Sequence, residues 1–316
     1  MFRSILVPLD GSTHSEQALG IAAWIAQRTG AGLRLCHVRE VADPEFASYG
    51  IEDESAILSH LEEYLGVLSR QLTRKLGRDV AHEVTEGAPV AELIGAARKA
   101  AADLIVLTTH GHGGPAAAWL GGTAEGLARQ AGTPLLLVRV ASRGVPPEPA
   151  IGNVLVPLDG SVTAEAALGA AVDLARIAAA TLTLLAVVEL PVRLPSRAGS
   201  EPIRLSGVPD PAIWHERARE YLEGVAGRLR AQHLSLAVEL RDAVSPASAI
   251  LQAAAELGAD AIVMTTHGRS RLRRMAVGSV SDKVIRASGV PVVLVPSREI
   301  EPGRPWQRRA QAAVPG

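Results

Sequence analysis

Aromatic residues are nearly absent: Trp, Tyr and Phe together make up 3 % of the 316 residues, against 47 % for all hydrophobic types. A buried core must therefore be assembled from Ala, Leu, Val and Ile, and the length allows two ordinary domains to do so. Cysteine occurs once, at Cys36. A single thiol excludes an internal disulfide framework and suits a reducing cytosol, and its setting among Leu33, Leu35 and Val38 marks it as a core residue. The formal net charge is only −1, which argues against nucleic-acid binding through a broad phosphate footprint. No apolar run reaches membrane-spanning length, because Asp173 and Arg176 interrupt the longest Ala/Leu-rich stretch. The N-terminus passes from Phe2-Arg3-Ser4 straight into Ile5-Leu6-Val7, too short for the hydrophobic region of a signal peptide. The Gly-Lys-Ser/Thr of a P-loop is also missing. These absences lead to the expectation of a soluble, cytoplasmic protein with neither membrane nor nucleic acid as partner.

What is present is one unit written twice. Ile5-Leu6-Val7-Pro8-Leu9-Asp10-Gly11-Ser12 returns as Val154-Leu155-Val156-Pro157-Leu158-Asp159-Gly160-Ser161, an offset of 149 residues. Thr108-Thr109-His110-Gly111 returns as Thr265-Thr266-His267-Gly268 at an offset of 157. The second copy thus holds eight extra residues, which fall in the Pro-rich stretch 190–211. A period this long is a duplicated domain rather than a solenoid. The expected divisions are a first domain over 1–142, a Pro-rich linker over 143–151, a second domain over 152–297 and a disordered tail over 298–316.

Within the first copy, apolar strand patterns alternate with helical ones. Strands are expected at Ile5–Leu9, Leu33–Val38, Val80–Glu86, Leu104–Thr108 and Leu135–Val140. Helices are expected over Ser12–Gly30, where Ala18, Ile21, Ala22 and Ile25 share a face, and over a leucine stripe at Leu58, Leu61, Leu65, Leu68 and Leu72. A further helix runs over Val90–Ala101, and Thr13 with Glu16 has the spacing of a capping box. The second copy repeats the plan. Such alternation predicts an α/β fold: two tandem, Rossmann-like, doubly wound parallel sheets with helices on both faces. Ligands of such folds bind at the carboxyl ends of the strands, where Asp10, Asp159 and both Thr-His-Gly loops fall.

The stretch Met264–Val295 carries the clearest chemistry. A strand ends at Thr265-Thr266, a glycine-hinged loop follows with Arg269, Arg271, Arg273 and Arg274, and Gly278-Ser279 opens a short helix with Ser279 at the expected N-cap. Backbone N–H groups, the positive helix end and side-chain cations converge there, which describes an anion site with phosphate the natural occupant. The alternative reading of the four arginines is a solvated charge run. His110 and His267 occupy matching positions, but no acid and nucleophile complete a triad, so no catalytic residue and no metal ligand is assigned.

With these residues in place, the chain resembles a tandem member of the universal stress protein family over Arg3–Val140 and Asn153–Pro296. The resemblance implies five-stranded sheets of order 3-2-1-4-5. Nucleotide-binding members carry Gly, two residues, Gly, nine residues, then Gly with Ser or Thr. Here Thr265, Gly268, Gly278 and Ser279 match except at the leading glycine. In the first copy Gly111 and Gly121 keep the spacing, while Thr108 and Gly122 depart from it. The resemblance implies ATP or a related adenine nucleotide as ligand, with or without Mg. Pro157, Leu158, Asp159, Val187, Met264 and Thr265 would serve base and ribose, and Gly268, Gly278, Ser279, Val280 and Ser281 the phosphates; Arg269 is read as a phosphate contact from its place beside Gly268. The first-copy counterparts are Pro8, Leu9, Asp10, Val38, Leu107, Thr108, Gly111, Gly121, Gly122 and Thr123. Asp10 and Asp159 each precede Gly-Ser at a helix start, so a turn carboxylate is the competing reading for both.

Three functions stay open at this point: a nucleotide-binding regulatory module acting on an unidentified protein partner, an interaction protein with vestigial sites, and a weak ATPase. The apolar strands at Pro134–Val140 and Pro291–Val295 read as edge strands. Family members pair such strands across a dimer interface, which implies an internal pseudo-dimer here and leaves room for a homodimer. The insertion at 191–210 reads as a loop over the second nucleotide edge.

Overall fold

The structure is a computed structural model, and it describes residues 1–40, 54–109, 121–139, 149–189, 211–266 and 278–296. The Arg-rich stretch, the insertion at 191–210, most of the linker and the tail lie outside the described residues, as do His110 and His267. The first repeat runs β1 (Ser4–Pro8), α1 (Thr13–Thr29), β2 (Gly32–Arg39), α2 (Glu54–Leu76), β3 (Ala81–Glu86), α3 (Pro89–Lys99), β4 (Leu104–Thr108), α4 (Gly122–Gln130) and β5 (Leu135–Val138). The second runs β6 (Asn153–Pro157), α5 (Val162–Glu165), α6 (Leu168–Ala178), β7 (Thr181–Glu189), α7 (Pro211–Arg230), β8 (Leu236–Ala243), α8 (Pro246–Glu256), β9 (Ala261–Thr265), α9 (Ser279–Ala287) and β10 (Val292–Val295).

Two compact units form. One holds Met1–Ala150 with Gly289–Pro296, and the other holds Ile151–Ser288. In the first, the sheet order is β3-β2-β1-β4-β5, all parallel, in agreement with expectation. Ile5 pairs with Leu33 on one side and Leu104 on the other, so the strand order reverses between β1 and β4. In the second unit β8-β7-β6-β9 repeats that order with the same parallel sense. Parallel neighbours need a crossover, and the helices between the strands supply it.

Burial follows the patterning. Ile5, Leu6 and Val7 in β1 are fully enclosed, as are Val154, Leu155 and Val156 in β6, because helices cover both faces of each sheet. Each such side chain contributes about 1.5–3 kcal/mol relative to exposure. The predicted face of α1 is buried throughout, and so are Leu61, Leu65 and Leu72 of the α2 stripe. Leu58 and Leu68 are half-buried at its margins.

The two apolar strands expected to invite pairing do pair with each other: β10 lies antiparallel on β5, with Val293 opposite Leu136. Two expectations are corrected. No Thr13–Glu16 capping box forms. Ser12 is the N-cap and its Oγ accepts from the Ser15 N–H at 3.0 Å, while Glu16 accepts the Tyr64 hydroxyl at 3.0 Å. The cap sits one residue earlier because Ser12 is tied back to Asp10. The second correction concerns the first helix of the second repeat, which is two segments. The Ala166 N–H is shared between Val162 O at 3.2 Å and Thr163 O at 3.3 Å, and the Ala167 N–H donates three residues back to Ala164 O at 3.2 Å, so the ladder tightens locally with neither proline nor glycine at the break.

One difference between the repeats yields a stability prediction. The first helix of the first repeat ends on Gly30 at φ 77°, and the matching helix of the second ends on Ala179 at φ 52°. A Cβ in the left-handed region is strained by about 1–2 kcal/mol, partly offset by the greater chain entropy of glycine. Ala179→Gly should therefore stabilise the second unit by roughly 0.5–1 kcal/mol, read as a raised urea midpoint at unchanged m-value.

Candidate functional site

The carboxyl edge of each unit is built from two helix N-termini with opposite treatment of their free amides. At the first, the chain leaves β1 or β6 through an Asp-Gly-Ser turn whose glycine holds a positive φ, 84° at Gly11 and 80° at Gly160. That conformation folds the aspartate back over the serine. Asp159 Oδ1 accepts from the Ser161 N–H at 3.0 Å and from its hydroxyl at 2.6 Å. Asp10 makes the same pair of bonds to Ser12 at the same distances. Each serine oxygen in turn accepts a first-turn amide, Ala164 or Ser15, at 3.0 Å. The aspartates are thus turn carboxylates by their own geometry. A carboxylate offers about four acceptor sites, so this role leaves capacity for a ligand.

The second N-terminus, after β4 or β9, has no side-chain cap. The N-cap is Gly121 for α4 and Gly278 for α9, not Ser279 as expected. Each glycine N–H is bonded to the strand end, Gly121 to Thr109 O at 2.8 Å and Gly278 to Thr266 O at 2.7 Å. The first intrahelical bonds into the glycine carbonyls come from Glu125 and Asp282. The amides of Ser279, Val280 and Ser281, and of Gly122, Thr123 and Ala124, are therefore first-turn donors with no helical acceptor, at the positive end of the helix dipole. Neither glycine needs its type for backbone reasons, since φ is −59° at Gly121 and −58° at Gly278. A Cβ at Gly121 would meet nothing closer than Thr109 O at 3.6 Å. Glycine here keeps the space in front of the amides open.

Both N-termini of each unit border one cavity. In the second unit it measures about 300 Å³ and is lined by Pro157, Leu158, Asp159, Val187, Met264, Thr265, Gly278, Ser279, Val280 and Ser281. In the first it measures about 250 Å³ and is lined by Pro8, Leu9, Asp10, Val38, Leu107, Thr108, Gly121, Gly122 and Thr123. Every expected site residue that is described borders its cavity, and Gly111, Gly268 and Arg269 lie outside the described residues. The Ser281 hydroxyl donates to Thr265 O at 2.9 Å, which ties α9 to the end of β9.

Sequence reading missed several walls. Pro246 and Ile250 line the second cavity, and Pro89 and Leu93 the first. These pairs recur at the same offset of 157, with the proline opening a helix at the carboxyl edge, so the repeat itself held the signal. Cys36, His37 and Glu40 also line the first cavity, and Leu185 and Glu189 the second. They lie along or just beyond β2 and β7, whose apolar runs suggest core and nothing more. Among the described residues no group of three His, Cys, Asp or Glu side chains is arranged to hold a metal ion, and no helix is long and apolar enough to cross a membrane.

Comparison with known proteins bears on this architecture. The universal stress protein family matches residues 1–139 and 150–296. A universal stress protein of Mycobacterium tuberculosis is 30 % identical over 304 residues, spanning 92 % of this chain and 96 % of its own. One from Thermus aquaticus is 33 % identical over 141 residues, 44 % of this chain and 100 % of its own. The crystal structure of a universal stress protein from Archaeoglobus fulgidus shares the fold with a TM-score of 0.68 at 21 % identity, over 93 % of this chain and 98 % of its own.

The first cavity also yields a pH prediction. Burial, followed by the charge of Glu83, pushes the Cys36 thiol from 9.0 up to about 12. The folded thiol therefore keeps its proton where the unfolded one has lost it. Stability from this group is complete below pH 9 and declines as pH rises toward 12. Tyr64 and Tyr221, pushed up by burial and by Glu16 and Glu165 respectively, steepen the decline above pH 10. Cys36→Ala should flatten the first part of that slope in urea titrations. Native protein at pH 8 should resist iodoacetamide, with alkylation appearing on unfolding.

Proposed function

We propose that this chain, which belongs to the universal stress protein family, is a stress-response protein that binds an adenine nucleotide, ATP or a close relative, in the cavity of its second unit. The bound nucleotide would then govern the encounter with a protein partner. The observation that carries the reading is the row of uncapped amides at Ser279, Val280 and Ser281, facing the same cavity as Asp159. Phosphate oxygens suit those amides because the donors are fixed in place and the helix dipole favours negative charge. Apolar Leu185, Val187, Ile250 and Met264 form the walls a flat base requires. Asp159, fixed by Ser161, lines the same cavity and has acceptor capacity for ribose hydroxyls. Arg269 and its neighbours follow β9 in the chain and add cations to the phosphate end of this reading. Magnesium would arrive with the phosphates of ATP.

The first unit offers a weaker nucleotide site in this reading. Gly122 stands where the second unit has Ser279, and residues 110–120 contain no Arg or Lys, whereas the hydroxyl of Ser281 is already donated to Thr265 O. Each hydrogen bond to a charged phosphate is worth roughly 1.5–3 kcal/mol, so each one lost weakens binding about ten- to a hundred-fold.

Calorimetry with ATP tests the assignment. The backbone angles at Gly278 suit a β-branched residue, so Gly278→Val should fold, and its side chain should fill the space before the amides. Tight binding should be lost in Gly278→Val and nearly unchanged in Gly121→Val. Equal loss from both, or loss only from Gly121→Val, overturns the assignment. The same proposal includes an internal pseudo-dimer of the two repeats. Small-angle scattering should then give one compact particle, and two beads on a flexible connection would sink that part.

A further inference from the structure

Among the described residues, β3 in the first unit and β8 in the second each have a strand on one side only, whereas β5 is covered by β10. An open strand carries a row of unmet N–H and C=O groups with which a further strand can pair. β8 is the longer of the two, eight residues against six, and its register on β7 runs without a break from Leu236 to Ala243. The Ser235 carbonyl accepts from the Leu182 N–H at 2.8 Å, so the odd-numbered residues turn their backbone groups to β7. The even-numbered ones, Leu236, Val238, Leu240 and Asp242, turn theirs to the open side.

Read backwards, this edge is nearly its own complement. With a second copy laid antiparallel and Leu240 opposite Leu240, outward backbone groups meet outward backbone groups, as the ladder requires. Glu239 then stands opposite the partner's Arg241, and Arg241 opposite the partner's Glu239. Both pairs fall at non-hydrogen-bonded positions, where facing side chains come closest. Ala237 faces the partner's Ala243, and Leu236 faces the partner's Val244, a residue 61 % exposed just past the strand. Asp242, opposite Val238, is held by His215 of its own chain at 2.6 Å. Neighbouring registers fail, because centring on Glu239 or on Arg241 sets like charges face to face.

Arg241 is also unsaturated within its own chain. Its Nε has no hydrogen-bond acceptor among the described residues: Glu239 stands 3.8 Å from it, and Glu256 is 3.3 Å from a terminal nitrogen. The groove of about 470 Å³ between β8 and α8 is walled on the helix side by Ser245, Ser248 and Ala249, short side chains that leave room for an incoming carboxylate. β3 lacks this match. The Gly87 N–H donates to Arg39 O, so Val84 is the outward residue at its centre, and a copy centred there would put Glu83 opposite Thr85. Glu83 is moreover engaged by Lys99 at 2.8 Å and Arg34 at 3.7 Å.

We propose that two copies of this chain associate through β8, antiparallel and centred on Leu240, as a two-fold dimer at the open edge of the second unit. A two-fold contact uses the same edge in both copies and ends there, whereas β8 meeting β3 of the next copy would propagate into a filament.

Analytical ultracentrifugation of the full chain over a concentration series tests this with Glu239→Arg, Arg241→Glu and the double exchange. Wild-type protein should reach twice the mass of one chain and no more. Each single exchange places like charges opposite each other at both positions and should weaken dimerisation at least about tenfold. The double exchange restores opposite charges and should recover the dimer. A purely structural role for Arg241 would show no such recovery, since a glutamate there still faces Glu256. A monomer at every concentration, assemblies beyond the dimer, a dimer indifferent to either single exchange, or no recovery in the double exchange would each overturn the proposal.

Discussion

A parallel sheet delivers every following helix to the same edge with its N-terminus first. Each delivery brings free amides and a positive dipole end to that edge, and the protein must do something with them. Everything particular about this chain follows from how those helix N-termini are treated. Where α1 and α5 begin, a serine caps the amides and an aspartate holds the serine, so the local need is met internally. Where α4 and α9 begin, a glycine stands in the cap position and, among the described residues, no side chain caps the amides. The two treatments flank the point at which the strand order reverses, and the crevice there needs no further invention to become a binding site.

Duplication makes the chain its own control. The walls of the two cavities come from the same positions of the repeat, down to the proline that opens α3 and α8, so the fold alone cannot distinguish their ligands. The distinction lies in three side chains of one helical turn and in the composition of the loop before it. Ser281 illustrates how closely structure and site are joined: its hydroxyl fastens α9 to Thr265, and Ala124 leaves α4 without that tie. The same substitution that loosens the start of the helix also removes a hydroxyl from the cavity wall.

Much of this is legible in the residues. Strand and helix identities follow from apolar periodicity, and the Asp-Gly-Ser turns and the glycine-opened helices stand out because each occurs twice. The errors share a physical origin. Thr13 and Glu16 have capping-box spacing, yet the cap belongs to Ser12, since its tether to Asp10 across the Gly11 turn is a tertiary detail that spacing does not encode. Residue type favours Ser279 as an N-cap, while the backbone assigns that position to Gly278, bonded to Thr266. Pro89 and Pro246 do not announce themselves as site residues because a helix-opening proline has a sufficient local explanation.

The central claim is that the uncapped turn of α9, rather than its counterpart in α4, receives phosphate. Amide chemical shifts report on those donors directly. On addition of ATP to ¹⁵N-labelled protein, the amide resonances of Ser279, Val280 and Ser281 should move most and lose exchange with solvent, while those of Gly122, Thr123 and Ala124 stay in place. Unmoved resonances at Ser279–Ser281 under saturating ATP, or equal movement at Gly122–Ala124, would contradict the account.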